Sequence, residues 1–134
     1  MSTIGGGCLC GQVRYRVDAS DARTVVCHCR HCQKQSGSAF ATLLVVARAG
    51  CAIDGELGSY LDHGDSGAAV LRRFCPVCGS AVLNEAAAMP ALVAIQAGTL
   101  DDVSQLAPQV HLWCSSAQPW VPLPDDLPCL DTQR

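Results

Sequence analysis

Cysteine thiolates placed a few residues apart bind metal ions, and three short groups in this chain have that spacing. Cys8-Leu9-Cys10, Cys27-His28-Cys29-Arg30-His31-Cys32 and Cys75-Pro76-Val77-Cys78-Gly79 hold seven of its ten cysteines. Structural zinc takes four ligands in a tetrahedron, whereas catalytic zinc keeps a position open. The first and third groups together supply four thiolates, enough to close one site. The central trio of Cys27, Cys29 and Cys32 makes a second site that is one ligand short.

Each group has a local rationale. In Cys75-Pro-Val-Cys-Gly79 the cysteines at i and i+3 of a turn point both sulfurs at one ion. Pro76 presets φ for that turn, and Gly79 admits the left-handed backbone that lets N–H groups face the sulfurs. Four thiolates around a dication leave a charge of −2, so those donors matter. A redox Cys-x-x-Cys pair normally opens a helix in a βαβ setting, and here the motif lies between expected strands. On a strand, Cys8 and Cys10 would share a face, with Leu9 packing inward.

In the central group a strand end turning into a helix brings the sulfurs at i, i+2 and i+5 around one ion. His28 and His31 are close but are expected to point elsewhere. His111, Cys114 and Cys51 are remote candidates for the fourth position, and water or a substrate thiol is the alternative. An open zinc is a Lewis acid that holds a thiolate ready at neutral pH. Closed by Cys114 or a histidine, the same site would be structural.

The bulk of the chain limits the function classes. Its 134 residues are expected to form a single domain, residues 1–134, and 49% are hydrophobic but only 4% aromatic. Val, Leu, Ala and Cys must therefore fill the core. The formal net charge is −3, which argues against a nucleic-acid partner, since phosphate binding needs a concentrated basic surface. Arg72-Arg73 and Arg30 with Lys34 are positive spots too short for such a footprint. The N-terminus lacks the pattern of a signal peptide, and the longest apolar run, 39–47, is too short to span a bilayer. The expected location is cytoplasmic, with no membrane partner. There, clustered cysteines are metal ligands or redox groups more often than disulfides.

The elements that must position these cysteines read as mostly β. Residues 12–17 alternate polar and apolar, as a half-buried strand does. Residues 24–27 form a short strand leading into the central trio, and 30–36 a short helix stopped by Gly37. The run 40–46 reads as a buried strand. Strands at 70–74 and 81–83 flank the Cys75–Cys78 turn, with further strands at 92–97 and 109–113. Residues 62–67 read as a loop, and Ala86-Ala-Ala-Met89 as a short helix-prone stretch. Cys51 reads as apolar filler, Cys129 as a free surface thiol, His63 as solvated, and Trp113 and Trp120 as packing residues.

The order Cys8-x-Cys10-Gly11, Cys27-His28-Cys29-x-x-Cys32, Ser36-Gly-Ser-Ala-Phe40, Cys75-Pro76-x-Cys78-Gly79 resembles the glutathione-dependent formaldehyde-activating family, which includes the centromere protein V-like proteins. Gly98-Thr-Leu-Asp101, His111-Leu-Trp113 and Pro119-Trp120 extend the resemblance over roughly residues 5–122. It implies several coiled antiparallel β-sheets around a zinc-ribbon-like core, with at most short helices. It implies two Zn2+ ions, a structural one at Cys8, Cys10, Cys75 and Cys78 and a second at Cys27, Cys29 and Cys32. The implied activity is that of a carbon–sulfur lyase joining glutathione to formaldehyde, as S-(hydroxymethyl)glutathione synthase does.

The resulting reading is a zinc enzyme whose small-molecule partner is glutathione or a similar thiol. The catalytic set is Cys27, Cys29, Cys32, His28 and His31. His28 or His31 would pass a proton to the alkoxide, and Arg30 and Lys34 would meet a glutathione carboxylate. One rival is a non-catalytic zinc-binding protein-interaction module, with two closed sites. Another is a metal-free dithiol protein that oxidises Cys27 and Cys32 reversibly.

Overall fold

The computed structural model describes residues 2–132. Its strands are β1 (Thr3–Gly7), β2 (Arg14–Asp18), β3 (Arg23–Cys27), β4 (Ala41–Ala47), β5 (Cys51–Asp54), β6 (Gly58–His63), β7 (Ala69–Phe74), β8 (Ala81–Ala86), β9 (Leu92–Gln96) and β10 (Val110–Leu112). The one α-helix among the described residues is α1 (Arg30–Ser36). Strands β1, β2 and β5 form a three-stranded sheet, and the others a seven-stranded sheet in the order β10-β3-β4-β9-β8-β7-β6. Neighbours are antiparallel except β10, which runs parallel to β3. No helix among the described residues is long and apolar enough to cross a membrane.

The patterning explains the layers. In β2, Tyr15 and Val17 are buried while Arg14, Arg16 and Asp18 are exposed, the alternation of a sheet with one wet face. In β4 the apolar run is continuous because both faces are covered. Leu44 and Val46 enter a core with Val13, Tyr15, Val17, Val82, Leu83, Val93 and Ile95. Leu43 enters a second core with Val25, Ala41 and Val110. Cys8 and Cys75 belong to the first core, and Cys27, Cys29 and Cys32 to the second.

The helix is short and defined by its ends. The Cys29 thiol caps the start, accepting from the backbone N–H of Cys32, and Gly37 ends it at φ 67°. Three strands were not expected. β1 reads Thr-Ile-Gly-Gly-Gly, and its three glycines oppose strand formation. A Cβ at Gly6 would collide with the Tyr15 ring and the Thr99 carbonyl, so contact with β2 selects glycine there. β5 was missed, and β6 takes Asp62 and His63 out of the expected loop. Residues 86–89 are the end of β8 and a turn rather than helix, with Met89 N–H donating to the Ala86 carbonyl. Tertiary pairing overrides propensity in each case.

Ile95 anchors the first core, fully buried and in register with Leu44 and Leu83 on its two sides. Ile95→Ala is expected to cost about 2–5 kcal/mol by leaving a cavity. Leu61→Ala on the exposed face of β6 should change stability by no more than about 0.5 kcal/mol. Denaturant unfolding of the two variants checks the contrast, and equal losses would contradict this packing.

Candidate metal centre

The four-cysteine group forms where two turns meet. β1 ends at Gly7, and Cys8 to Gly11 form a turn in which Gly11 N–H donates to the Cys8 carbonyl at 3.2 Å. The β7–β8 connection closes with Gly79 N–H on the Cys75 carbonyl at 2.9 Å. Leu9 N–H donates to Ser80 Oγ at 3.0 Å and ties the turns together. The sulfurs of Cys8 and Cys10 are 3.6 Å apart, those of Cys10 and Cys75 3.8 Å, and all four lie within 4.8 Å of one another. Thiolates about 2.3 Å from a tetrahedral ion stand about 3.8 Å from each other, so the spacing fits a metal. None of the ten cysteines is in a disulfide.

Backbone donors face these sulfurs. Val13 N–H donates to Cys8 Sγ at 3.2 Å, and the N–H groups of Val77 and Cys78 to Cys75 Sγ at 3.4 and 3.5 Å. The Val13 bond lowers the Cys8 pKa. The Ser80 hydroxyl and N–H hold Cys78 down at about 5. One expectation fails here. Leu9 is 89% exposed, because Cys8 and Cys10 sit on a turn, where strand alternation does not apply.

The central trio forms as expected at a strand-to-helix junction. Cys27 ends β3, Cys29 caps α1 and Cys32 lies in its first turn. Their sulfurs lie within 4.8 Å of one another, and all three residues are buried. Shared hydrogen bonds from Cys27 and then Cys32, helped by the Cys32 N–H and Arg72, lower the Cys29 pKa to about 2. The hydrogen bonds to Cys29 and then Cys32, with burial, raise Cys27.

No fourth His, Cys, Asp or Glu joins this group among the described residues. His28 is fully buried, with Nε2 2.9 Å from His111 Nδ1 and its ring packed on Phe40. Burial lowers the pKa of both histidines, so two neutral rings share that hydrogen bond. His28 Nδ1 has no partner. His31 turns to two carboxylates, with Nδ1 2.8 Å from Asp62 and Nε2 3.2 Å from Asp65. Cys51 packs against the first core. Cys114 is half-buried, and burial and then its neighbour Cys129 push its thiol up to about 11. Cys129 is thus half-buried beside another thiol rather than free on the surface. Trp113 packs on the second core, whereas Trp120 is exposed and does not pack.

Arg72 and Asp62 escaped the sequence reading. Arg72, taken as part of a surface spot, is 4% exposed. Burial opposes its charge, but Cys32 and Asp62 raise its pKa. Burial likewise works against the Asp62 carboxylate, yet His31 and Arg72 hold its pKa below the usual range. The available signal was the period of two in β7, which sets Arg72 and Arg73 on opposite faces. Arg73 turns the other way, to Glu85 at 2.9 Å.

Arg30 and Lys34 are brought together. With Gln33, Gly37, Ser38, Ala39 and Gln118 they line an open recess of about 380 Å³ on the outer side of α1. Gln33 ties its floor to the trio, donating to the His28 carbonyl at 2.7 Å and the Ser116 carbonyl at 3.0 Å. The recess thus offers two cationic side chains on the helix that also carries Cys32.

Residues 3–116 match the family model described as glutathione-dependent formaldehyde-activating enzyme. No curated protein matches the chain. Among solved structures, a crystal structure of a Rhodobacter sphaeroides protein is similar, with TM-score 0.59 and 22% identity over 76% of this chain and 92% of that one. At that identity the likeness concerns the fold.

Proposed function

Because the chain belongs to the glutathione-dependent formaldehyde-activating family, we propose that it is a zinc-dependent enzyme of the carbon–sulfur lyase type. Its reaction joins glutathione, or a similar small thiol, to formaldehyde or another aldehyde, and reverses that addition. The observation that supports this reading is the contrast between one group of four clustered cysteines, as many as a tetrahedral site needs, and a buried group of three. Cys8, Cys10, Cys75 and Cys78 would hold a structural ion, and Cys27, Cys29 and Cys32 the reactive one. Zinc at the trio would supply a Lewis acid with a free position that favours a thiolate at neutral pH.

The chain's own residues bind the substrate and handle its proton. Arg30 and Lys34 in the recess meet the carboxylates of glutathione. The glutathione sulfur bonds to the aldehyde carbon, the carbonyl π pair moves to oxygen, and the thiol proton ends on that oxygen. His31 carries this proton, since a third of its side chain is exposed and two carboxylates orient it. His28 has no exposed surface, and its bond to His111 fixes the turn between Cys27 and Cys29. The reaction belongs in the cytoplasm, where small thiols stay reduced.

A second reading, a zinc module that binds a protein, has one observation in its favour. Leu9 and Val77 stand 89% and 65% exposed at the tips of the two cysteine turns. Cobalt(II) substitution separates the readings. Glutathione is expected to add sulfur-to-metal charge-transfer absorption, and S-methylglutathione, which has no ionisable thiol, to add almost none. If neither compound changes the spectrum of protein loaded at both sites, thiol addition is the wrong chemistry and the binding module is preferred.

A further inference from the structure

Resting on the reading that the central trio holds zinc, we propose that Arg72 is a positioning residue of that site. It supplies the fixed positive charge that a buried three-thiolate ligand set requires. Three thiolates around a divalent ion carry a net −1. The four-cysteine site would carry −2, but Cys10 is exposed and Cys78 half-exposed, so water screens it. Cys27, Cys29 and Cys32 are buried, and a buried charge without a partner is strongly unfavourable. Arg72 is the one Arg or Lys that is buried among the described residues, and it lies against this site.

Its guanidinium spans two groups in a fixed fork. Nη1 is 3.8 Å from Cys32 Sγ, while Nε and Nη2 are 3.3 and 3.2 Å from Asp62 Oδ2. With its amide oxygen turned inward, Asn84 accepts from Nη1 at 3.0 Å. Asp62 Oδ2 also accepts from His31 Nδ1 at 2.8 Å. One chain of contacts therefore runs from Cys32 through Arg72 and Asp62 to His31, and ties α1 to the β6–β7 hairpin. An arginine placed only to pair Asp62 would not need to reach a sulfur.

Zinc competition titrations on the full chain, at one pH against a chromophoric chelator, test the role. The four-cysteine site serves as an internal reference. Arg72→Gln is expected to weaken the central site about 10- to 100-fold, the usual effect of losing an outer-shell partner, and to leave the reference within about twofold. Arg72→Lys keeps the charge and should recover most of that loss. Asp62→Asn frees Arg72 without removing its charge, so it should lower the melting temperature yet not weaken the central zinc. Equal weakening of both sites by Arg72→Gln, no rescue by lysine, or loss of central zinc in Asp62→Asn would each overturn the inference. Should Arg72→Gln fail to fold, the Lys and Asp62→Asn variants decide by the same criteria. A wild-type chain that binds a single zinc would overturn the parent reading, and this inference with it. A wild type that binds two, with Arg72→Gln unchanged, overturns the inference alone.

Discussion

Cys75→Ser is expected to leave the chain largely unfolded. Cys75 is fully enclosed, belongs to the larger core, and accepts two backbone N–H bonds in the turn that joins β7 to β8. Its proposed zinc joins that turn to the one after β1, more than sixty residues earlier in the chain. A structural zinc contributes on the order of 10 kcal/mol, comparable to the whole net stability of a typical domain, about 5–15 kcal/mol. Serine offers a hydroxyl that does not ionise at neutral pH, so the site would hold three thiolates and bind weakly. Soluble yield, circular dichroism and bound zinc are the measurements. Cys51→Ser, outside both groups, is the control and should fold. A Cys75→Ser protein that melts within a few degrees of wild type would show that this site does not hold the fold together.

Cys29→Ser should give the opposite result, a folded protein that has lost its central metal. The reason lies in the helix cap. Cys29 caps α1 through its side chain, with Cys32 N–H donating to its sulfur at 3.3 Å. Serine is among the favoured N-cap residues, so the substitution preserves the cap while removing one of three ligands. Zinc content should fall from two ions per chain to one, and the glutathione-induced cobalt band should vanish. The melting temperature should drop by only a few degrees. If Cys29→Ser unfolds as badly as Cys75→Ser, the central site is structural and the enzyme reading loses its support. Wild-type protein with one ion per chain would remove that site at the outset.

Much of the candidate metal site was legible because ligand spacing is a local property. Cysteines at i and i+3 on a turn, or at i, i+2 and i+5 across a strand-to-helix junction, meet whatever the rest of the chain does. The helix 30–36 was readable for the same reason, since Gly37 stops it locally. Strands β2, β3, β4, β7, β8, β9 and β10 were readable from alternation or apolar runs, to within a few residues at their ends. Strand β1 was not, because Gly6 is selected by contact with Tyr15 and Thr99, and Gly7 by contact with Val13 and Arg14, rather than by strand propensity. β6 was not, because its polar residues 62 and 63 resemble a loop until β7 pairs with them.

By itself, then, the sequence determined the three local cysteine groups, the β-rich class of the fold and the family resemblance, which rest on spacings and patterns along the chain. The tertiary structure decided where the side chains around the trio turn. His28 and His31 are three residues apart, yet one is enclosed against His111 and the other reaches Asp62 and Asp65. Arg72 and Arg73 are adjacent, yet one is buried beside Cys32 and the other pairs with Glu85. Each of these outcomes depends on a partner that strand pairing brings from elsewhere in the chain. A charged or ionisable side chain is buried only where such a partner offsets its lost hydration, and the spacing around any one residue does not specify that partner.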